Sequence, residues 1–397
     1  MATVIELGAV EGFILDDPVA GVLNNTVYTL GGTVFKDITS RVISATTSRG
    51  KNRDLDRFSS GTLNITASNE DRAFDPNYAS SPYAGAIVPR REVRVTVDGV
   101  RVISTTIDDW NYGYSPDGSS RAEIVATDEF TLLARQVLTA GTATPQLSGA
   151  RVSAVLDMLS VAWPDGKRSI DAGESTLGAD VFAGNALQYL QKISDSEQGL
   201  LFIAKNGDLV FRDRLDATPT TASLTDFTDD GTGIPFTLTA VNYGSELLYN
   251  QAVVTSGELS AQADNDRSQV AYGVTSVELD TLVSTSAQLQ NLADFLVQKY
   301  GEPEYRFETI SVNLDTVGAT YKATCLGLEI GDVVSITFTP NGIGDPIEQY
   351  GQIIRISHEL EPLRHDMFIS VSSLDWTFLV LDDAVFGKLD SNNALAF

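Results

Sequence analysis

A chain of 397 residues with 43% hydrophobic content is longer than one hydrophobic core usually grows, so two to four domains are expected. Its 53 acidic against 27 basic side chains give a formal net charge of -26, a field that repels phosphate and excludes a direct, sequence-specific nucleic-acid reader. One cysteine and two histidines exclude an internal disulfide and leave the common zinc and histidine-based catalytic sets short of ligands; with no apolar run of about 18 residues and no export signature in MATVIELGAVEG, a soluble protein without stable membrane insertion is expected.

Residues 1–27 read as an N-terminal arm. From 28 to 128 apolar residues alternate with polar ones between turn pairs, which predicts one β-barrel or sandwich domain. Its clearest hairpin puts Val93, Val95 and Val97 on one face and Arg94 and Thr96 on the other, with Asp98-Gly99 supplying the positive φ angles of a tight turn. Pro116-Asp117-Gly118 marks a second turn, between strands around Trp110 and Ile124.

Residues 129–215 are expected to form an α+β insert. Val152, Val155, Leu156 and Leu159 recur at helical spacing behind Ser148 as N-cap, predicting a helix over 149–162 that Pro164 ends. Asn185 caps a second helix with Leu187, Leu190 and Ile193 inward and Gly199 as its stop, and Asn206-Gly207 then joins two apolar triplets in a hairpin. Residues 216–235, rich in Thr, Asp and Gly, read as a linker. Strand signals resume at Phe236-Thr237-Leu238 and from Ala252 to Thr255. Residues 257–307 follow as an excursion, polar at first, whose helix is set by Leu289, Leu292, Phe295, Leu296 and Tyr300, starting near Ser284 or Ser286 and stopping at Gly301. Further strands are expected at 308–314, 332–338, 352–357 and 368–372, and 376–397 is a C-terminal arm.

Few groups invite chemistry. Asp226, Asp229 and Asp230 in DFTDDGTG offer oxygen ligands to calcium but miss the EF-hand spacing, so a solvated turn is preferred. Asp108-Asp109-Trp110 with Tyr112 and Tyr114 offers a sugar-stacking platform, yet neighbouring carboxylates on a strand point to opposite faces, and a packing cluster is preferred. His358 and His365 can meet only through a tight hairpin at Pro362 and lack an evident third ligand, and Cys325 reads as a buried thiol. With no nucleophile elbow, phosphate loop or zinc-helix motif, no enzymatic activity, cofactor or metal is expected. The basic cluster Arg49, Lys51, Arg53 and Arg57 is either a loop that docks on an acidic partner rim or a solvated loop. Residues 15–23 and 381–389 match at six of nine positions, so Asp16, Asp17, Asp382 and Asp383 either lie on equivalent surfaces of neighbouring subunits or form chance acidic turns.

The order Arg49-Gly50-Lys51, Leu55-Asp56-Arg57-Phe58, Gly61-Thr62, Asn69, Asp71, Phe74-Asp75-Pro76, Ser81-Pro82-Tyr83 and Val88-Pro89-Arg90-Arg91 resembles minor tail proteins, the tail-tip or baseplate hub family of long non-contractile-tailed bacteriophages. Ala186 to Leu190 with the hairpin that follows, Tyr249 to Val254 with Gln251 where an Arg is more usual, and Leu328 to Val334 are similar to later segments of that family. The resemblance implies a mainly β fold with α+β inserts and two β-barrel domains, the first over 28–128, the second over 236–256 with 308–375. It also implies a homotrimer that adapts a six-fold tail tube to a three-fold tip around the DNA exit path. The implied partners are itself, a distal tail or tube ring protein, other tail-tip and fibre proteins and the tape measure protein; the implied location is the virion tail tip, after synthesis in the host cytoplasm. The alternative is a carbohydrate-binding host-recognition protein, with a tail-associated cell-wall hydrolase third. With the sequence ending at Phe397, such activities are expected on another protein.

Overall fold

Period-2 alternation builds the first half of the chain in the computed structural model, which describes residues 2–9, 18, 21–22, 33–139, 141–215, 224–374, 377–378, 382, 384, 387–388 and 393–394. Its strands are β1 (Thr3–Ala9), β2 (Val34–Asp37), β3 (Val42–Gly50), β4 (Ser59–Ser68), β5 (Glu92–Val97), β6 (Val100–Tyr114) and β7 (Ser120–Thr127). Val93, Val95 and Val97 of β5 and Leu63, Ile65 and Ala67 of β4 are buried while their neighbours face outward, as a half-covered sheet requires. Asp98 and Gly99 take φ of 48° and 85°, the turn expected of that pair. Thr3–Ala9, expected in an arm, pairs with β5 and β2 and buries Ile5, Leu7 and Ala9; the alternation in TVIELGA carried that signal.

The insert holds α1 (Phe130–Arg135), α2 (Ser148–Leu156) and α3 (Ala186–Glu197), with β8 (Arg168–Ile170), β9 (Leu200–Ile203) and β10 (Leu209–Arg212) as a small sheet. Asn185 caps α3 by accepting from the Gln188 amide at 2.8 Å, and β9 and β10 pair around Asn206-Gly207 as expected. The first long helix departs from expectation. It ends at Leu156, Leu159 is 99% exposed, and Ser148 does not cap but donates its buried hydroxyl to Glu197 at 2.7 Å. A buried carboxylate takes that hydroxyl more strongly than a helix start does.

The second half comprises β11 (Thr225–Thr228), β12 (Thr237–Tyr243), β13 (Gln251–Ser256), β14 (Leu259–Asp264), α4 (Asp266–Tyr272), β15 (Ser276–Asp280), α5 (Ser286–Tyr300), β16 (Tyr305–Asn313), α6 (Ala319–Gly327), β17 (Val333–Phe338), β18 (Ile347–Glu361) and β19 (Arg364–Ser373). The described end of the expected linker is a strand: β11 lies parallel to β17 and buries Phe227. Strand β13 pairs only with β14 and β15, so 251–256 belongs to the excursion and not to the large sheet. Thr285, not a serine, caps α5, whose Leu289, Leu292, Leu296 and Tyr300 are buried as expected. No helix among the described residues is long and apolar enough to cross a membrane.

One sheet unites the two halves. Its 13 strands run β12-β16-β19-β18-β3-β4-β7-β6-β5-β1-β2, with β17 on β18 and β11 on β17. Among the described residues no closed barrel is found; the fold is mainly β in several sheets. The reason lies in β18, a 15-residue strand that gives one edge to β17 over 347–352 and then to β3 over 355–360. A barrel closing on residues 308–375 alone would need that edge for itself. The core is correspondingly continuous, with Leu63, Ile65 and Val95 in the same apolar cluster as Ile310, Ile356 and Ile369. Insert and excursion have their own clusters, around Phe202 and Leu190 and around Val254 and Leu292.

Gly50 sits where β18 changes partner, with φ of +123°, and a Cβ there would lie 2.1 Å from the Ile354 carbonyl oxygen. We expect Gly50→Ala to cost at least about 1–3 kcal/mol in denaturant unfolding, whereas Gly166→Ala, in open space, should change stability by less than about 0.5 kcal/mol.

Candidate functional site

The segment leaving β3 carries the basic cluster, and the structure turns most of its charge inward. Arg49 is 4% exposed; its Nη1 lies 2.7 Å from Glu329 Oε1 and donates to the Ile203 carbonyl at 3.3 Å. Glu329 Oε2 accepts from the Lys205 amide at 3.0 Å, while Lys205 Nζ donates to the carbonyls of Leu326, Gly327 and Leu328. Burial alone would raise the Glu329 carboxyl, but Arg49 and the amides of Lys205 and Ile330 hold it below its ordinary value. This pair fastens β3, the β9–β10 turn and the approach to β17.

A second anchor lies at the excursion. Asp54 Oδ2 accepts from Tyr300 Oη at 2.6 Å and from Lys299 Nζ at 3.0 Å, and Lys51 Nζ donates to the Asp54 carbonyl. Burial opposes ionisation of Asp54, yet Lys299, Lys51 and the Tyr300 hydroxyl hold its carboxyl well below the usual range, while burial lowers Lys51 itself. Arg57 pairs with Asp195 of α3 at 2.6 Å and the more exposed Arg53 with Glu246 at 2.7 Å. The four cations thus stitch the sheet to insert and excursion, around a cavity of about 220 Å³ lined by Lys51, Asp54, Asp195, Arg214, Lys299 and Tyr300. That does not suit Arg49 or Lys51 as free docking charges, and charge reversal at Arg49 would face two carboxylates across a buried contact.

Of the other candidate contact residues, Asp382 is exposed with φ of 64°, while Asp16, Asp17 and Asp383 lie outside the described residues. The acidic triplet is spent on backbone geometry: Asp226 accepts from Ser335 Oγ at 2.5 Å, Asp229 from the Thr339 amide at 2.8 Å, and Asp230 closes its own turn on Thr232. Among the described residues no three His, Cys, Asp or Glu side chains are grouped to hold a metal ion. Trp110 packs 6.0 Å from Phe74, the rings of Tyr112 and Tyr114 stack at 6.4 Å, and Asp108 accepts from Thr127 Oγ1. Burial pushes the Cys325 thiol up to about 12, which removes its nucleophilic form near neutrality.

The β18–β19 hairpin does bring the two histidines together. His358 Nδ1 lies 2.9 Å from His365 Nε2, both rings are buried, and the His365 backbone amide donates to the Asp315 carboxylate at 2.8 Å. Burial, each other's charge, Arg49 and Lys205 keep His358 far below 6.5; burial, against the pull of Asp315, brings His365 to about 4. One shared proton satisfies the contact. A further one would be a buried charge beside a second imidazole.

No protein-family model and no curated protein matches this sequence. The structure, however, superposes on the 43 kDa tail protein of prophage MuSo2 from Shewanella oneidensis with a TM-score of 0.57 and 14% identity, over 94% of this chain and 98% of that one. It also superposes on the tail protein from Neisseria meningitidis MC58 with a TM-score of 0.60 and 11% identity, over 94% and 96% of the two chains. The chain has the fold of phage tail proteins. At such identities what is shared is the backbone arrangement, including both halves of the sheet, the insert and the excursion.

Arg49→Ala should leave Glu329 as an uncompensated buried charge and cost about 3–5 kcal/mol, against less than about 1 kcal/mol for Arg53→Ala; chemical denaturation of both variants checks this. Between pH 6.5 and about 4 the unfolded chain binds protons that the folded histidine pair refuses, so this contribution to stability is full above 6.5 and falls with pH. The unfolding midpoint of the wild-type chain should therefore drop relative to that of a His358→Gln, His365→Gln variant between pH 7 and pH 4.5. Asp128, pushed up to about 6 by burial, acts with the opposite sign but in both proteins.

Proposed function

We propose that this chain is a structural subunit of a phage-type tail, forming a homotrimeric hub that matches a six-fold tube to a three-fold tip. The observation that carries the reading is the match over nearly the whole length of two phage tail proteins and of this chain alike. The internal organisation supports it: the large sheet joins strands of two parts of the chain, β1–β7 and β11–β19, so each subunit would offer two walls and three subunits six. The ends of the sheet path, β2 and β12, pair on their outer edges with no described strand, and such edges are templates for another chain. Neighbours of this fold are structural proteins, which suggests a non-enzymatic role.

The net charge suits the position. A chain with a net charge of -26 repels phosphate, so DNA leaving along a wall of such chains would slide without adhering. On this reading the contacts that matter are with further copies, with a distal tail or tube ring protein, and with fibre and tape measure proteins at the virion tail tip. Arg53 and Arg57, whose side chains stay 60% and 45% exposed, are the members of the basic cluster that still face a neighbouring ring.

Analytical ultracentrifugation of the isolated chain should give a mass three times that of one chain, and negative-stain images should show a three-fold ring. A chain that remains monomeric both alone and with a tube-ring protein would overturn the hub assignment.

A further inference from the structure

Two arginines of the first half are left in an uncomfortable state. Arg91 and Arg101 each have a buried Nε with no hydrogen-bond partner, and neither forms an ion pair with a described residue; Arg101 only donates from Nη1 to Ser104 Oγ at 3.2 Å. In a chain with about two acids for every base this is unexpected, because a buried N–H without an acceptor forfeits hydration and gains nothing in return. Arg91 lines a cleft of about 420 Å³ between the outward face of β5 and β6 and the insert. Arg90 and Lys167 line it too, beside an apolar wall that includes Leu132, Trp163 and Pro164. The acids that face it are Glu92 and Glu129. Glu129 is engaged by Thr106 Oγ1 at 2.5 Å and by Arg90 at 3.4 Å, and Lys167 reaches Asp208 only at 3.8 Å. The volume lies in the range of specific ligand clefts, roughly 300–1,000 Å³, and its lining combines unspent positive charge with an aromatic surface.

We propose that this cleft is the docking site for the acidic segment Leu381-Asp382-Asp383-Ala384-Val385-Phe386 of a second copy of the chain. The complementarity is chemical. Adjacent carboxylates meet the Arg91 guanidinium and Lys167, in the geometry that Arg reads best, and the flanking Leu381, Val385 and Phe386 meet the Leu132 and Trp163 wall. Asp382 is exposed, with a backbone φ of 64°. The same Asp-Asp pair recurs at 16 and 17, so the chain holds a second match to the same cleft. This inference rests on the reading of the chain as a subunit of a homo-oligomer.

The test co-expresses two differently tagged full-length chains, one carrying Arg91→Cys and the other Asp382→Cys, and treats the purified assembly with a short bismaleimide. The native Cys325 is buried and serves as a silent control. We expect a covalent product bearing both tags, and we expect a labelled peptide of residues 378–390 to bind the wild-type chain at least about tenfold more tightly than Arg91→Gln, with a similar loss when Asp382 and Asp383 of the peptide are Asn. Circular dichroism shows whether Arg91→Gln remains folded, which its lack of partners leads us to expect; Lys167→Gln is the second variant. An oligomer that gives no doubly tagged product overturns the docking site and spares the hub reading, whereas a monomer overturns both. Equal binding of the acidic and Asn peptides also rejects it.

Discussion

The shared edge of β18 is the constraint on which the rest of this structure depends. A strand has two hydrogen-bonding edges; β18 gives one to β19 over 351–361 and divides the other between β17 and β3. The division makes one sheet out of strands separated by about 300 residues of sequence, such as Ser48 and Ser357, which pair across it. It works only if the chain can leave β3 at the crossing without colliding with β18, which is why a glycine with positive φ stands at position 50. It also exposes the end of β3 to the insert and to the approach to β17, and Arg49 fills that space as a cation held between Glu329 and the Ile203 carbonyl. The ion pair contributes less through net stability than through register, since a one-residue slip of β3 would carry Arg49 to the opposite face of the sheet and strand Glu329.

Elements governed by neighbours in sequence were legible, and those governed by distant partners were not. Asp98-Gly99, Asn206-Gly207 and the Asn185 cap are short-range devices, and each does locally what its residues dictate. Phe227 looked like part of a polar linker because its burial is supplied by a strand more than a hundred residues later. The start of the excursion read only as polar for a similar reason: in β14 only Ala261 and Ala263 face inward, small residues that give little periodic signal, and α4 buries only Ser268. The basic cluster was visible as composition, but its partners Glu329, Asp195 and Glu246 were scattered over the chain. Nothing near residue 49 announces Glu329. Leu159 shows the converse, an apolar residue at the right spacing that falls one turn beyond the place where the helix stops.

The insert shows how polar groups can specify packing. Glu197 is fully buried at the end of α3 and accepts from Ser148 Oγ and from the amides of Glu174 and Ser175, so one carboxylate holds the start of α2 and a loop against the end of α3. Arg151 is equally buried and donates to Tyr189 Oη at 3.0 Å and to the carbonyls of Thr144 and Gly178. Neither side chain gives the core more apolar area; both fix which loop goes where, at a desolvation cost that the surrounding cluster of Phe202, Phe211, Leu190 and Val155 offsets. The insert is thereby a rigid block, and Gly149 and Gly173, where a Cβ would overlap the Asp171 carbonyl and the Ser148 hydroxyl, let its loops approach that closely.

Charge is distributed in keeping with an assembled role. Arg49, Lys51 and Lys205 are committed to contacts within the chain, and acids such as Asp128, Glu197 and Asp366 are buried likewise, so the surface keeps the acidic sign of the sequence. Acidic surfaces of like copies repel one another over roughly a Debye length, about 8 Å at physiological ionic strength. On the proposed reading, association of such copies cannot rely on general charge attraction; it would come from backbone pairing at sheet edges, from apolar contact, and from the cations not already committed inside the chain. On the proposed reading, an unpaired cation such as Arg91 then acts as an address on an acidic body. It orients an approaching subunit because the remainder of the surface turns it away.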